Sequence, residues 1–126
     1  MKLVIGGTSQ GKKDYVLGRL QQSPVQVWDG ELPEEKETEQ TIVIDHLHLW
    51  VRKRLEAQGE PEIELEAWLS EHPDSILISD EIGNGIVPMD AFERAYRERT
   101  GRILVNLAGK ADTVERVFCG IGQKLK

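Results

Sequence analysis

Val4-Ile5-Gly6-Gly7-Thr8-Ser9-Gln10-Gly11-Lys12-Lys13 decides the fold. The apolar run Lys2 to Ile5 stops at two glycines, and Lys12 to Leu20 then has helical composition and ends before Pro24. Strand, glycine-rich loop and helix in that order are the context that the motif G-x-x-x-x-G-K requires, and Gly6, Gly11 and Lys12 match it. In such a loop, backbone N–H groups turn inward around phosphate oxygens. The helix N-terminus adds partial positive charge and the lysine reaches the terminal phosphates. The stretch therefore predicts nucleotide contacts from Gly6, Gly7, Thr8, Ser9, Gln10, Gly11, Lys12 and Lys13. The motif's last position is normally Ser or Thr, whose hydroxyl holds magnesium. Lys13 stands there, with a positive charge and no acceptor, so the usual metal ligand is missing and magnesium binding is weakened. Thr8 and Ser9 supply the hydroxyls that remain in the loop.

Outward from this loop, strands and helices alternate. Val25 to Trp28 reads as a second strand, and Glu31 to Gln40 as an acidic, solvated loop. The β-branched run Thr41 to Asp45 is a third strand, followed by Leu47, Trp50, Val51 and Leu55 at helical spacing. Gly59 and Pro61 break that helix. Leu65, Trp68 and Leu69 mark another, which Pro73 closes before a fourth strand, Ser75 to Ser79. Gly83, Gly85 and Pro88 form a turn-rich connection whose glycines permit positive φ and close approach. Phe92, Tyr96, Ile103, Leu104 and Leu107 then line one face of a long helix, in which Gly101 predicts close backbone packing. Val114 to Cys119 is the last strand and Gln123 to Lys126 a short tail. The pattern predicts an α/β fold, a mainly parallel sheet with helices on both faces, as one nucleotide-binding domain over residues 1–126.

The chain's 126 residues, 39% of them apolar, suffice for a buried core. A net charge of −6 opposes nucleic-acid and anionic-membrane partners, which need a basic face. Cys119 is the sole cysteine, which excludes an intramolecular disulfide and a cysteine-based zinc site. With no signal peptide or long apolar span in the sequence, the expected location is the cytoplasm.

Three carboxylates close strands. Asp45 suits either a metal-holding residue or a helix N-cap, and Asp80 and Glu81 end the next strand, where open α/β sheets place their ligands. His46 and His48, two apart at a helix start, are expected to point roughly 200° apart and not to chelate together. His72 before Pro73 suits a helix C-terminus, and Trp28, Trp50 and Trp68 are expected in the core.

Several of these segments together resemble the adenosylcobinamide kinase / adenosylcobinamide-phosphate guanylyltransferases of cobalamin biosynthesis. VIGGTSQGK (4–12) is similar to that family's phosphate loop, and IVIDHLHLW (42–50) to its strand ending in Asp-x-Leu-Thr-Leu-Trp. DEIGNGIVP (80–88) resembles its signature Asn/Asp-Glu-Val-Gly-x-Gly-Ile-Val-Pro, and Arg97, Gly101, Arg102 and the ending GIGQKLK also look like the family's. The resemblance implies a phosphate-loop fold related to the RecA type, GTP or ATP as ligand, a cobinamide-type substrate, and a homo-oligomer. It implies that Gly6, Gly11 and Lys12 hold phosphates, that Asp45 serves the metal, and that Glu81, Gly83 and Gly85 border the active site. The departures fall mostly on polar positions: Lys13 for the metal-binding hydroxyl, His48 for Thr, Lys53 for Asn, and Leu104 and Val105 for Asn-Gln. Between Val25 and Gln40, where the family carries a guanylylated histidine, this chain has no histidine. The expectation is a kinase without the guanylyltransferase step, or a non-catalytic anion-binding relative in which Lys13 replaces magnesium's charge.

Overall fold

Alternation decides which way each strand faces. In β1 (Lys2–Gly6), β3 (Thr41–Asp45) and β4 (Ile76–Asp80), Leu3, Ile42, Ile44 and Leu77 join one buried cluster. The residues between them, Val4, Val43, Ile76 and Ile78, join a second cluster on the other face. A strand buried on both faces reads as an uninterrupted apolar run, which is why Thr41–Asp45 was legible to the residue.

The structure is a computed structural model that describes residues 1–34, 39–83, 85–86 and 90–126. Part of the expected acidic loop, and Pro88 of the expected turn, lie outside the described residues. With β2 (Val25–Asp29), β5 (Thr113–Phe118) and β6 (Ile121–Lys124), the strands form one sheet in the order β2-β3-β4-β1-β5-β6. Every pairing is parallel except the terminal β5–β6 hairpin. This is the expected mainly parallel α/β sheet of phosphate-loop nucleotide-binding proteins. Helix α1 (Lys12–Arg19) covers one face through Val16, and α2 (Leu47–Glu56), α3 (Pro61–Glu71) and α4 (Ala91–Lys110) cover the other.

Local chemistry explains the helix ends. Pro61 opens α3, where its missing N–H costs nothing, and the Asp90 side chain caps α4 by accepting from the Glu93 N–H at 3.1 Å. His72 ends α3, its Nδ1 2.8 Å from the Trp68 carbonyl oxygen and its ring stacked on that indole. Trp50 and Trp68 are buried and Trp28 packs against the same core, as expected.

Two expectations are corrected. The tail is a strand: Ile121–Lys124 pairs antiparallel with β5, turning through Cys119 and Gly120 at φ 51° and 73°. An edge strand of Ile-Gly-Gln-Lys has one solvated face and a glycine, so it shows no apolar run. Gly101 makes no close packing among the described residues, where a Cβ built on it meets no atom within 4 Å. It faces an open groove with Arg97, Arg102 and Val105.

Candidate functional site

Strand ends at one edge of the sheet build the site. Gly6 ends β1, and Asp29, Asp45 and Asp80 are the last residues of β2, β3 and β4. Gly6 lies in register with Asp80, and Asp29 with Asp45. All three carboxylates therefore stand at the C-terminal edge of the parallel strands, where α/β sheets bind ligands. They line a cavity of about 350 Å³ with Thr8, Ser9, Gln10, Gly11, Lys12, Lys13, Asp14 and His46.

The loop itself is braced from the far end of the chain. The Gln10 carbonyl accepts from the Gly120 N–H at 2.8 Å, and the Gln10 side chain from the Cys119 N–H at 2.7 Å. Gly11 takes φ 85° with the Gly120 Cα only 3.3 Å from where a Cβ would sit, so both backbone conformation and space require glycine there. The β5–β6 hairpin thus seats the loop.

Lys12 is 7% exposed, and its ammonium donates to the Gly7 carbonyl oxygen at 2.6 Å and to Asp80 Oδ1 at 2.7 Å. The other oxygen of Asp80 accepts from Thr8 Oγ1 at 3.0 Å and lies 3.4 Å from His48 Nε2. The Asp80 N–H donates to His48 Nδ1 at 3.1 Å, which places the ring proton on Nε2, facing the carboxylate. The Tyr96 hydroxyl, pushed up to about 12 by burial, donates to the His48 carbonyl at 2.9 Å and ties α4 to this histidine. Burial opposes ionisation of Asp80, but the hydrogen bond from Lys12, the adjacent His48, the charge of Lys12 and the Thr8 hydroxyl together outweigh it and hold the carboxyl below its ordinary range.

The two histidines come together, contrary to the helical-spacing argument. His46 precedes the helix with φ 53° and ψ 48°, so helical geometry does not govern it, and the rings meet edge to face at 5.6 Å. Their titrations move in opposite directions. The hydrogen bond that the His46 ring donates to Asp29 at 2.5 Å, helped by the charges of Asp45 and Asp29, outweighs desolvation and raises His46, whereas desolvation chiefly lowers His48. Below pH 6.5 an unfolded chain takes up a proton that folded His48 refuses, so acidification weakens the fold through His48. His46 contributes its stability below pH 6.5 and loses it as pH rises through its raised folded value. A titration of both imidazoles by long-range proton–nitrogen correlation spectroscopy is expected to place His46 above and His48 below 6.5. The reverse order contradicts the two contact sets.

Magnesium is the ion that the loop motif normally holds. The donors here fit a divalent cation, since Asp29, Asp45 and His46 each offer one atom within 4.8 Å of the others. The Asp45 side chain is 9% exposed; one oxygen accepts from the His46 N–H at 2.9 Å and the other lies 3.5 Å from His46 Nδ1. His46, not Asp45, occupies the N-cap position of α2, so the helix-cap reading of Asp45 does not hold. A set mixing imidazole nitrogen with carboxylate oxygen suits manganese or zinc at least as well as magnesium. Lys13 is exposed on the cavity wall and the Thr8 hydroxyl is committed to Asp80.

The remaining expected residues lie elsewhere. Glu81 pairs with Arg116 at 3.1 Å and its N–H donates to the Gly6 carbonyl at 2.8 Å, beside β1 rather than on the cavity wall. Gly83 and Gly85 have positive φ, as expected, but among the described residues no atom lies within 4 Å of a Cβ built on either. Gly83 lines the separate open groove along α4, about 730 Å³ in volume. Asp29 and His46 went unrecognised in the sequence. For Asp29 the signal was available: β2 closes on aspartate just as β3 and β4 do.

Sheet order, loop and strand-end carboxylates define a phosphate-loop α/β protein. The sequence profile of the cobinamide kinase / cobinamide phosphate guanyltransferase family matches residues 22–125, and the chain belongs to that family. The match leaves the phosphate loop outside its span, so the loop rests on its own geometry. The chain is 43% identical over 51 residues to the bifunctional adenosylcobalamin biosynthesis protein CobU of Salmonella typhimurium, and 41% identical over 51 residues to that of Escherichia coli. Each stretch covers 40% of this chain and 28% of the relative. Among the described residues no helix is long and apolar enough to cross a membrane.

Proposed function

We propose that this chain binds GTP or ATP at residues 6–13 and transfers the terminal phosphoryl group to the hydroxyl of a cobinamide-type acceptor. The observation that carries the reading is the Lys12 ammonium, set inside the loop at the sheet edge where Asp29, Asp45 and Asp80 converge. Backbone N–H groups of Gly6 to Gly11 surround the phosphates, and Lys12 neutralises charge on the transferring group. Asp45, with Asp29 and His46, is the set that would hold a divalent cation, which supplies further charge neutralisation when bound. Asp80, or Glu81 from beside β1, orients the acceptor hydroxyl. The guanylyltransferase step is absent on this reading. The segment between Val25 and Gln40 has no histidine, and His46, which does line the cavity, already engages Asp29 through Nδ1. Exposed Ile86, Val105, Phe118 and Ile121 support a homo-oligomer, and the acidic, single-cysteine composition supports a cytoplasmic setting.

A coupled phosphotransfer assay with adenosylcobinamide and either GTP or ATP is expected to show turnover that Lys12→Met abolishes. Wild-type turnover no greater than that of the variant contradicts the kinase. One observation favours a second reading, a non-catalytic binder: Lys13 stands on the cavity wall in place of the metal's hydroxyl ligand. That reading requires nucleotide affinity that does not change when magnesium is removed.

A further inference from the structure

Lys12 already has an anion. Asp80 Oδ1 lies 2.7 Å from its ammonium, and the second oxygen is held by Thr8 at 3.0 Å with His48 Nε2 at 3.4 Å. Through its own N–H, Asp80 is fixed to His48 as well, and His48 is pinned from behind by Tyr96. A phosphate oxygen that approaches Lys12 therefore competes with a half-buried carboxylate whose two oxygens are both satisfied. The surrounding cavity adds to the barrier. Asp14, Asp29, Asp45 and Asp80 line it against Lys12, Lys13 and the titratable His46, so on balance its field opposes a bare anion even though the loop's backbone invites one.

We propose that Asp80 is the specificity-determining residue of the loop, an internal counter-ion on Lys12 that rejects free phosphate and yields only to a polyphosphate carrying its own cation. The inference rests on the nucleotide-binding reading and deepens it, because it names the ligand class as a cation–nucleotide complex rather than any phosphate. Release has a defined geometry: the Lys12 and Thr8 contacts to Asp80 break, while its backbone stays anchored to His48 through the N–H and to β1 through the register with Gly6.

Calorimetric titration of inorganic phosphate and of pyrophosphate, in EDTA, tests it on wild type, Asp80→Asn and Asp29→Asn. Asp29→Asn removes a carboxylate, together with part of the His46 charge that it holds, from the same cavity without touching Lys12, so it reports the general field apart from the counter-ion. Pyrophosphate is expected to bind Asp80→Asn at least tenfold more tightly than wild type, with a smaller gain for Asp29→Asn, and Lys12→Met added to Asp80→Asn erases the gain. Equal affinity in wild type and Asp80→Asn, or an equal gain in both single variants, overturns the proposal. Should Asp80→Asn fold poorly, the Lys12 Nζ resonance of wild type carries the test. It is expected to stay in place with pyrophosphate alone and to move with magnesium–GTP or magnesium–ATP, and movement with pyrophosphate alone overturns the proposal. Wild type that binds magnesium nucleotide without any Asp80→Asn gain removes the counter-ion role only. Failure of every ligand to bind either protein removes the nucleotide reading too.

Discussion

Replacing Lys12 with methionine is expected to destabilise the protein by about 2 kcal/mol, because it strips a half-buried carboxylate of its counter-charge. Asp80 is only 13% exposed, and with the ammonium gone its remaining support is Thr8 and the neutral imidazole of His48. The penalty comes from the stranded charge rather than from lost lysine packing, since methionine keeps most of the apolar stem. The double variant Lys12→Met/Asp80→Asn therefore recovers most of the loss, a non-additivity that urea unfolding of the four proteins at pH 7 measures directly. The gap between wild type and the single variant also narrows as pH falls, because it is in the wild type that Lys12 holds the Asp80 carboxyl down. Asp80 has a depressed folded pKa, so its contribution is present above its ordinary value and lost as pH drops through the folded one. If the two single losses simply add in the double variant, the buried pair does not exist in solution.

Gly6→Ala is the second large effect, and its cause is steric. A Cβ on Gly6 would stand 2.5 Å from the Val117 carbonyl oxygen and 3.3 Å from Lys12 Cδ. The lysine stem can shift. The carbonyl cannot, because β5 is held between β1 and β6. A cost of about 3 kcal/mol follows from overpacking against a fixed backbone. Gly18 in α1 is the matched control: a Cβ there meets nothing within 4 Å, so Gly18→Ala is expected to be neutral or stabilising by a few tenths of a kcal/mol. An unfolding midpoint for Gly6→Ala equal to that of wild type contradicts the placement of the loop strand directly beside β5.

These two residues also mark what the sequence conveys and what it withholds. The loop, its strand and its helix were legible because the spacing from Gly6 to Lys12 is local and each residue has a backbone or charge reason to be where it is. Strands such as Thr41–Asp45 were legible because burial on both faces leaves a continuous apolar run. Which strand sits beside β1 was not legible. That Asp80, 68 residues from Lys12, becomes its partner depends on β4 inserting between β1 and β3, and no local pattern encodes the insertion. The His46–Asp29 contact was hidden for a different reason. Helical spacing was applied to a residue whose left-handed backbone lies just outside the helix, and a strand ending on Asp29 was read as stopping at Trp28. The family resemblance, carried by residues 42–50 and 80–88, agrees with the profile match over 22–125, while the departures at Lys13 and His48 fall on groups that line or brace the cavity at the sheet edge.

The central claim is that the loop binds a nucleoside triphosphate through Lys12. Calorimetric titration of GTP and of ATP, with magnesium, into wild type and Lys12→Met tests it most directly. The account predicts saturable binding to wild type that weakens on the order of 100-fold in the variant, about 2.7 kcal/mol. Binding of equal strength to both proteins, or none to wild type, contradicts it.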